Sequence, residues 1–250
     1  MRVPNLLATR LRWLGIGASS SCVGRITVSR KVTRLSGSDP SRTQEDVLAV
    51  EEPLEIRVGG RSLAVTMRTP GHDFDLAAGF LVSEGVISRG EHFSSARYCA
   101  GATDKGLNTF NVLDVALSPG VAPPDPSLER SFYTTSSCGL CGKASIDAVR
   151  TQAAYEVRDD GLRVGAELLP TFPPMLRAEQ GVFDKTGGLH AAALFDGGSG
   201  KMLVVREDVG RHKAVGKVIG WALKQGRLPL RGTALMVSGR ARSGAAQTDR

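Results

Sequence analysis

Residues 26–35 alternate apolar with polar positions, the two-residue period of a strand with one buried face, and the polar stretch 39–43 is read as the turn behind it. Two β-prone runs, 47–58 and 61–67, flank Gly59-Gly60 and predict a hairpin. Thr69-Pro70-Gly71-His72-Asp73 breaks that pattern. Beyond it the period lengthens: Phe74, Leu76, Ala77, Phe80 and Leu81 fall on one side of a helix spanning 74–84, which Gly85 ends. Runs 96–100 and 107–117 predict two more strands. Four prolines within 119–126 exclude a helix interior or a central strand and mark a boundary.

After the prolines, a short β-prone run (131–135) leads into Cys138-Gly139-Leu140-Cys141-Gly142, and a helix-prone run (143–155) leads out. Residues 166–178 are interrupted by Pro170, Pro173 and Pro174. A hairpin is expected from 191–196 and 202–206 around the glycine-rich turn 197–200. Glu207-Asp208-Val209-Gly210-Arg211-His212-Lys213 opens a helix running to about Gln225, with Val215, Val218, Ile219 and Ala222 at helical spacing, and 233–237 is a last apolar strand. The chain therefore divides into a leader (1–23, disordered or a start placed upstream of the true one), a small α+β domain (24–118), a proline-rich linker (119–130), an α/β layered domain (131–240) and a disordered tail (241–250).

Composition changes this picture little, and charge changes it once. The 41% hydrophobic and 23% charged content is ordinary for a globular chain, and the 5% aromatic content argues against a stacking surface for single-stranded nucleic acid. The formal charge of +7 is local. Seven basic residues and no acidic one lie in 1–38, leaving 25 of the 32 basic residues against 25 acidic ones. The body is neutral, so no nucleic-acid partner is expected. No apolar run reaches the length of a membrane span, so no membrane partner is expected either. Four cysteines (Cys22, Cys99, Cys138 and Cys141) are too few for a disulfide scaffold, and a close pair in such a chain points to metal binding or catalysis.

The order strand, Cys138-x-x-Cys141, helix puts both sulfurs at a helix start, where unpartnered amides and the positive dipole end favour a thiolate; Lys143 adds a cation. Three chemistries fit the pair. Half of a zinc site would need two more ligands, and Cys99, His72, His190 and His212 lack paired spacing. Thioredoxin-like exchange would follow an aromatic lead-in, where Ser136-Ser137 stands instead. Persulfide carriage needs an attacking thiolate, with a second thiol in reach to hold the sulfur or close a disulfide. A second constellation suits a phosphate or nucleotide. The turn Lys185-Thr186-Gly187-Gly188 offers backbone amides, and Arg206, Gly210, Arg211, His212, Lys213 and Lys217 surround a helix start. Ser238-Gly239-Arg240 follows a strand at its carboxyl end. Asp208 is read first as a cap, and His190 as a supporting residue of the same set.

Several of these motifs together resemble the formate dehydrogenase accessory sulfurtransferases (FdhD): Met67-Arg-Thr-Pro-Gly-His-Asp-Phe-Asp75 with the helix after it, Ser136-Ser-Cys-Gly-Leu-Cys-Gly-Lys143, Phe183-Asp-Lys-Thr-Gly-Gly-Leu-His190, Glu207-Asp-Val-Gly-Arg-His-Lys213 and Val237-Ser-Gly-Arg240. The resemblance spans about residues 24–240. It implies a cytidine-deaminase-like layered α/β domain preceded by the small α+β domain. It also implies a cytoplasmic sulfurtransferase that takes sulfur from a cysteine desulfurase as a cysteine persulfide. The sulfur would pass to the molybdenum bis(molybdopterin guanine dinucleotide) cofactor, the bound acceptor, before insertion into the formate dehydrogenase apoenzyme. Cys138 would carry the persulfide with Cys141 as auxiliary thiol, no metal would be bound by side chains, and the chain would form a homodimer. Deaminase chemistry is disfavoured, because no histidine or cysteine is followed two positions on by glutamate. The chain departs from the family in its acid-free leader and in ending soon after Ser238-Gly239-Arg240, where a further helix, strand and Arg-containing tail are expected. The alternative reading is a non-enzymatic zinc- or nucleotide-binding module that acts as a cofactor-insertion chaperone.

Overall fold

The computed structural model describes residues 26–36, 39–99, 109–125, 155 and 159–239. Cys22, Cys138, Cys141 and Arg240, the leader 1–23, the tail 241–250 and nearly all of the expected strand 131–135 and helix 143–155 lie outside that set. The architecture is mixed α/β. Strands β1 (Thr27–Ser36) and β2 (Asp39–Ala49) form a two-stranded antiparallel ribbon. Strands β3 (Glu52–Val58), β4 (Arg61–Arg68), β5 (Phe93–Tyr98) and β6 (Val112–Leu117) form a sheet of order β4-β3-β6-β5, in which only the β3–β6 pair is parallel. Strands β7 (His190–Asp196), β8 (Met202–Asp208) and β9 (Thr233–Val237) form an antiparallel sheet of order β8-β7-β9.

Two expectations are corrected here. Residues 39–43 are strand rather than turn, because Thr43 and Arg42 pair with Thr33 and Arg34. The run 47–58 is not one strand; it breaks at Val50-Glu51, where the chain leaves the ribbon and enters the four-stranded sheet. Both elements flanking that break are β-prone, so local composition carries no mark of the change of sheet.

Helix α1 (Asp73–Ser83) covers the four-stranded sheet, and α2 (Phe172–Ala178), α3 (Gly181–Thr186) and α4 (Arg211–Lys224) belong to the second half. Leu76, Ala77 and Leu81 of α1 meet Leu54, Ile56, Leu113 and Val115. Val215, Val218 and Ile219 of α4 meet Ala192, Leu194 and Val204, while Phe172 and Leu176 of α2 meet Ala191, Ala193 and Phe195 on the other face of β7. β7 is thus covered on both faces, which is why its sequence is a continuous apolar run rather than an alternating one. α1 and α4 pack directly on each other, so the layers run sheet, α1, α4, sheet, α2. Leu223 of α4 joins the core around α1, and Val82 of α1 joins the core around α4.

Candidate functional site

Several of the turns singled out in the sequence meet at one end of the sheet β8-β7-β9. Because the strands are antiparallel, the start of β7 lies beside the ends of both neighbours. His190 faces Asp208 across the β7–β8 pair. On the other side Ser238 Oγ accepts from Ala191 N at 2.9 Å, Ser238 N donates to Ala191 O at 2.9 Å, and Gly239 lies against the His190 ring. His190, Ser238 and Gly239 are exposed, as are Lys185, Gly187 and Gly188 just before β7. This end of the sheet therefore gathers residues from three separated stretches into one accessible surface.

The Gly187-Gly188 turn holds itself. Gly187 N donates to Phe183 O at 2.7 Å and Gly188 N to Thr186 Oγ1 at 3.2 Å, while Thr186 Oγ1 donates to Val182 O at 2.9 Å. The first amides of α3 are also taken, Val182 N and Phe183 N donating to the Glu207 carboxylate at 3.0 and 2.8 Å. What the turn presents outward is the Lys185 side chain, and what it sets is the entry into β7.

The cations around α4 do not form one patch, because two of them neutralise buried carboxylates. Lys217 is 1% exposed and its Nζ lies 2.7 Å from Oδ2 of Asp208, which is 0% exposed. Lys217 Nζ also donates to Thr69 O at 2.9 Å and Glu207 O at 3.3 Å. Asp208 accepts from Gly210 N at 2.9 Å and Thr69 N at 3.3 Å, and Thr69 Oγ1 accepts from Val209 N at 3.1 Å. Asp208 is thus a tie between two turns rather than an open ligand, and Gly210, not Asp208, is the N-cap of α4. Lys213 is buried over Gly210, which leaves half-exposed Arg211 and His212 at the surface of this turn. Arg206 donates through Nε and Nη2 to Asp75 Oδ2 at 3.0 and 2.8 Å, and Lys224 Nζ lies 2.5 Å from Asp75 Oδ1.

The carboxylate that pairs with Arg206 and Lys224 comes from the start of α1, and the Arg68–Asp75 stretch holds a second buried ion cluster to which the motif alone assigned no ion pairing. Arg68 is buried and donates to Asp73 Oδ2 at 3.1 and 3.0 Å and to Glu52 Oε2 at 3.2 Å; Tyr98 OH donates to the same Asp73 oxygen at 3.0 Å. Burial and the adjacent Asp73 carboxylate push the Tyr98 hydroxyl well above its ordinary pKa. The available signal was two aspartates, Asp73 and Asp75, in the first turn of an apolar helix, where a carboxylate with no solvated face requires a cation.

His72, just before α1, has a left-handed backbone (φ 56°) and places Nδ1 3.7 Å from Asp75 Oδ2. Desolvation of the ring, then the nearby Arg206, lowers its pKa from 6.5 to about 4; Asp75 opposes this, while Lys217 and Lys224 add to it. The native state therefore resists a proton that the unfolded chain accepts. Stability is retained above pH 6.5 and falls as pH drops from 6.5 towards 4. His72→Asn, which tolerates the left-handed backbone, is expected to flatten that decline relative to the wild type in urea titrations at pH 7 and pH 4.5. Its side chain remains 58% exposed, so the effect is smaller than full burial would give.

Among the described residues no group of three or more His, Cys, Asp or Glu side chains is placed to hold a metal, and no helix is long and apolar enough to cross a membrane. Cys99 is a free, partly exposed thiol at the end of β5.

The FdhD/NarQ family profile matches residues 49–247, an interval that takes in every turn described above and both cysteines of Cys138-x-x-Cys141. The chain belongs to the FdhD/NarQ family. It is 58% identical over 220 residues to the sulfur carrier protein FdhD of Streptomyces avermitilis, covering 88% of this chain and 77% of that one. It is 53% identical over 222 residues to the sulfur carrier protein FdhD of Mycobacterium tuberculosis, covering 88% and 80%. In structure it is similar to a formate dehydrogenase accessory protein from Desulfotalea psychrophila, with a TM-score of 0.62 over 90% of this chain and 78% of that one; at 19% identity this likeness bears on the fold. Of the expected site residues, the structure sets His190 opposite Asp208 and beside Gly239, with Ser238 tied to Ala191; Lys185 precedes this cluster on the turn into β7, and Arg211 and His212 follow Asp208 at the start of α4.

Proposed function

We propose that this FdhD/NarQ protein is a sulfur carrier and sulfurtransferase in formate dehydrogenase maturation, with Cys138 as the residue that bears the sulfur. The observation that supports it most is the family match through Cys138-Gly-Leu-Cys141, together with 58% identity to a protein named a sulfur carrier. The Cys138 thiolate attacks the outer sulfur of a persulfide on a cysteine desulfurase. A new S–S bond forms at Cys138, the donor S–S bond breaks, and the desulfurase thiolate leaves. For release, the Cys141 thiolate attacks the Cys138 sulfur, the Cys138–Cys141 disulfide forms, and the outer sulfur departs as hydrosulfide towards the acceptor. That step oxidises the pair and reduces the transferred sulfur, so atoms and electrons balance.

The acceptor in this reading is the molybdenum bis(molybdopterin guanine dinucleotide) cofactor, handled as cargo. Its phosphates are anionic, and the cations and donors near the end of β8-β7-β9 suit them: exposed Lys185 and His190, the hydroxyl of exposed Ser238, and half-exposed Arg211 and His212. Gly239 keeps the approach beside His190 open. Asp208 and Lys217 act one step behind, by fixing the turn that carries Arg211 and His212. The formate dehydrogenase apoenzyme then takes the sulfurated cofactor.

The test is to incubate the protein with a cysteine desulfurase and cysteine and to map the sulfur by peptide mass spectrometry. One additional sulfur atom on Cys138 is expected, absent from Cys138→Ser and retained longer on Cys141→Ser, which lacks the displacing thiol. A wild-type chain that takes up no sulfur, or an equal load on Cys138→Ser, overturns the proposal. Stoichiometric zinc with unreactive thiols in the same preparation would overturn it in favour of a metal-binding module.

A further inference from the structure

Among the described residues the ribbon of β1 and β2 has no third strand, and α3 packs on β2, so the open edge is that of β1. An open strand edge is a template for another strand. Val50 N donates to Ile26 O at 2.9 Å, which makes Ile26 and Val50 a hydrogen-bonded pair of the ladder. Counting along the register, Val28, Arg30, Val32 and Arg34 bond inwards to β2, while Thr27, Ser29, Lys31 and Thr33 turn their N–H and C=O groups outwards. The Ser29 carbonyl fits this, since it accepts from Nη1 of Arg30 at 3.3 Å. Ser29, Arg30, Lys31, Thr33 and Arg34 are all exposed. The β2 edge differs: Asp46 Oδ1 accepts from Val47 N at 2.9 Å, and the base of the strand is covered where Ala49 lies against Gly188.

The side chains select what such a strand would carry. β1 holds Arg30, Lys31 and Arg34 and no acid. Val28, Arg30, Val32 and Arg34 share one face, so cations alternate there with apolar residues. Asp46 stands opposite Arg30, but Arg42 stands opposite Arg34, an arrangement that destabilises a cross-strand pair. Asp46 Oδ2 comes only within 3.9 Å of Arg34 Nη2, and Asp39, opposite Ser36, stands past the arginine pair at the tip. We infer that the β1 edge takes an extended acidic segment of another protein as a third strand, with two acids four positions apart against Arg30 and Arg34 and an apolar residue midway against Val32. Main-chain bonds to the outward groups of β1 supply affinity, and the charges choose the segment. Residues 1–25 hold four arginines and no acid, so the chain that precedes the ribbon is a poor match for this edge. β1 of a second copy brings the same three cations and is repelled for the same reason. This docking does not depend on sulfur carriage.

The test uses the full chain and fluorescein-labelled heptapeptides, read by fluorescence polarisation. Thr-Glu-Thr-Val-Thr-Glu-Thr should bind, and its affinity should fall as salt rises. The lysine counterpart Thr-Lys-Thr-Val-Thr-Lys-Thr should bind about tenfold more weakly or worse. The double variant R30E/R34E should reverse that preference. Should it misfold, Arg34→Glu alone, which sets an acid opposite Arg42, carries the charge test. Thr33→Pro removes one outward N–H while leaving the ladder to β2 intact, and should weaken the acidic peptide by about tenfold, whereas Thr33→Ala should not. Circular dichroism and thermal melts verify that each variant is folded. A wild-type chain that binds no acidic peptide overturns the inference, whether its own leader, a second copy or nothing at all holds the edge. Equal binding of the two peptides overturns it as well. So does undiminished binding by Thr33→Pro, which would mean adhesion by charge without strand addition.

Discussion

Lys217→Met is expected to lower stability by about 3–5 kcal/mol, and with it Tm by roughly 10 °C, because it strands a carboxylate in the interior. Asp208 is fully enclosed, and the ammonium 2.7 Å away is its counter-charge. Two backbone donors, Gly210 N and Thr69 N, would remain, but neither carries a full charge. Lys217 also spans the Thr69 and Glu207 carbonyls, so its loss loosens both turns that meet there. The double variant D208N/K217M removes both charges and should recover at least half of the loss, since a buried pair adds little over a neutral replacement while half a pair costs much. Urea unfolding of wild type, both single variants and the double variant closes the cycle. Additive losses would show that the two groups do not act as a pair. In the Lys217→Met chain at temperatures where it stays folded, the guanine-nucleotide binding proposed above should weaken too, because Arg211 and His212 follow directly on the turn that Asp208 fixes. D208N/K217M should regain part of that binding if the turn is what matters.

The same pair shows what the chain does and does not disclose by itself. Val215, Val218, Ile219 and Ala222 announce α4 by spacing alone, and Gly197–Gly200 marks the β7–β8 turn although the Ala191-Ala-Ala run has a helix former's composition. The gathering of His190, Asp208 and Ser238 was legible only as separate motifs, since their meeting depends on antiparallel pairing of β7 with both neighbours. Lys217 and Arg206 read as part of a cationic surface because nothing local tells a buried lysine from a solvated one. Their partners lie on distant stretches: Thr69 is 148 residues from Lys217, and Asp75 is 131 residues from Arg206. The break at Val50-Glu51 was hidden for a related reason, as strand propensity is shared by the ribbon and the sheet it enters.

The second large effect concerns a contact that no side chain makes. Gly220→Ala is expected to destabilise the protein by about 3 kcal/mol or more, a heavy penalty for one methyl group. α1 and α4 touch backbone to backbone at this point. A Cβ on Gly220 would lie 2.7 Å from the Asp75 carbonyl carbon and 2.7 Å from Gly79 N, and it would overlap the Asp75 carbonyl oxygen outright. No rotamer change relieves a clash with backbone, so the helices must part. Parting them draws Asp75 away from Arg206 and Lys224 and opens the cores that Leu223 and Val82 bridge. Gly216, one turn earlier on α4, supplies the control. There a Cβ would meet only Leu76 Cδ1, at 3.6 Å, an ordinary contact. Gly216→Ala should therefore be neutral or gain up to about 1 kcal/mol from helix propensity. Thermal melts of the two variants side by side decide the matter, because both substitutions are the same change, in the same helix, on the same interface. Equal behaviour would mean that α1 and α4 do not approach this closely in solution.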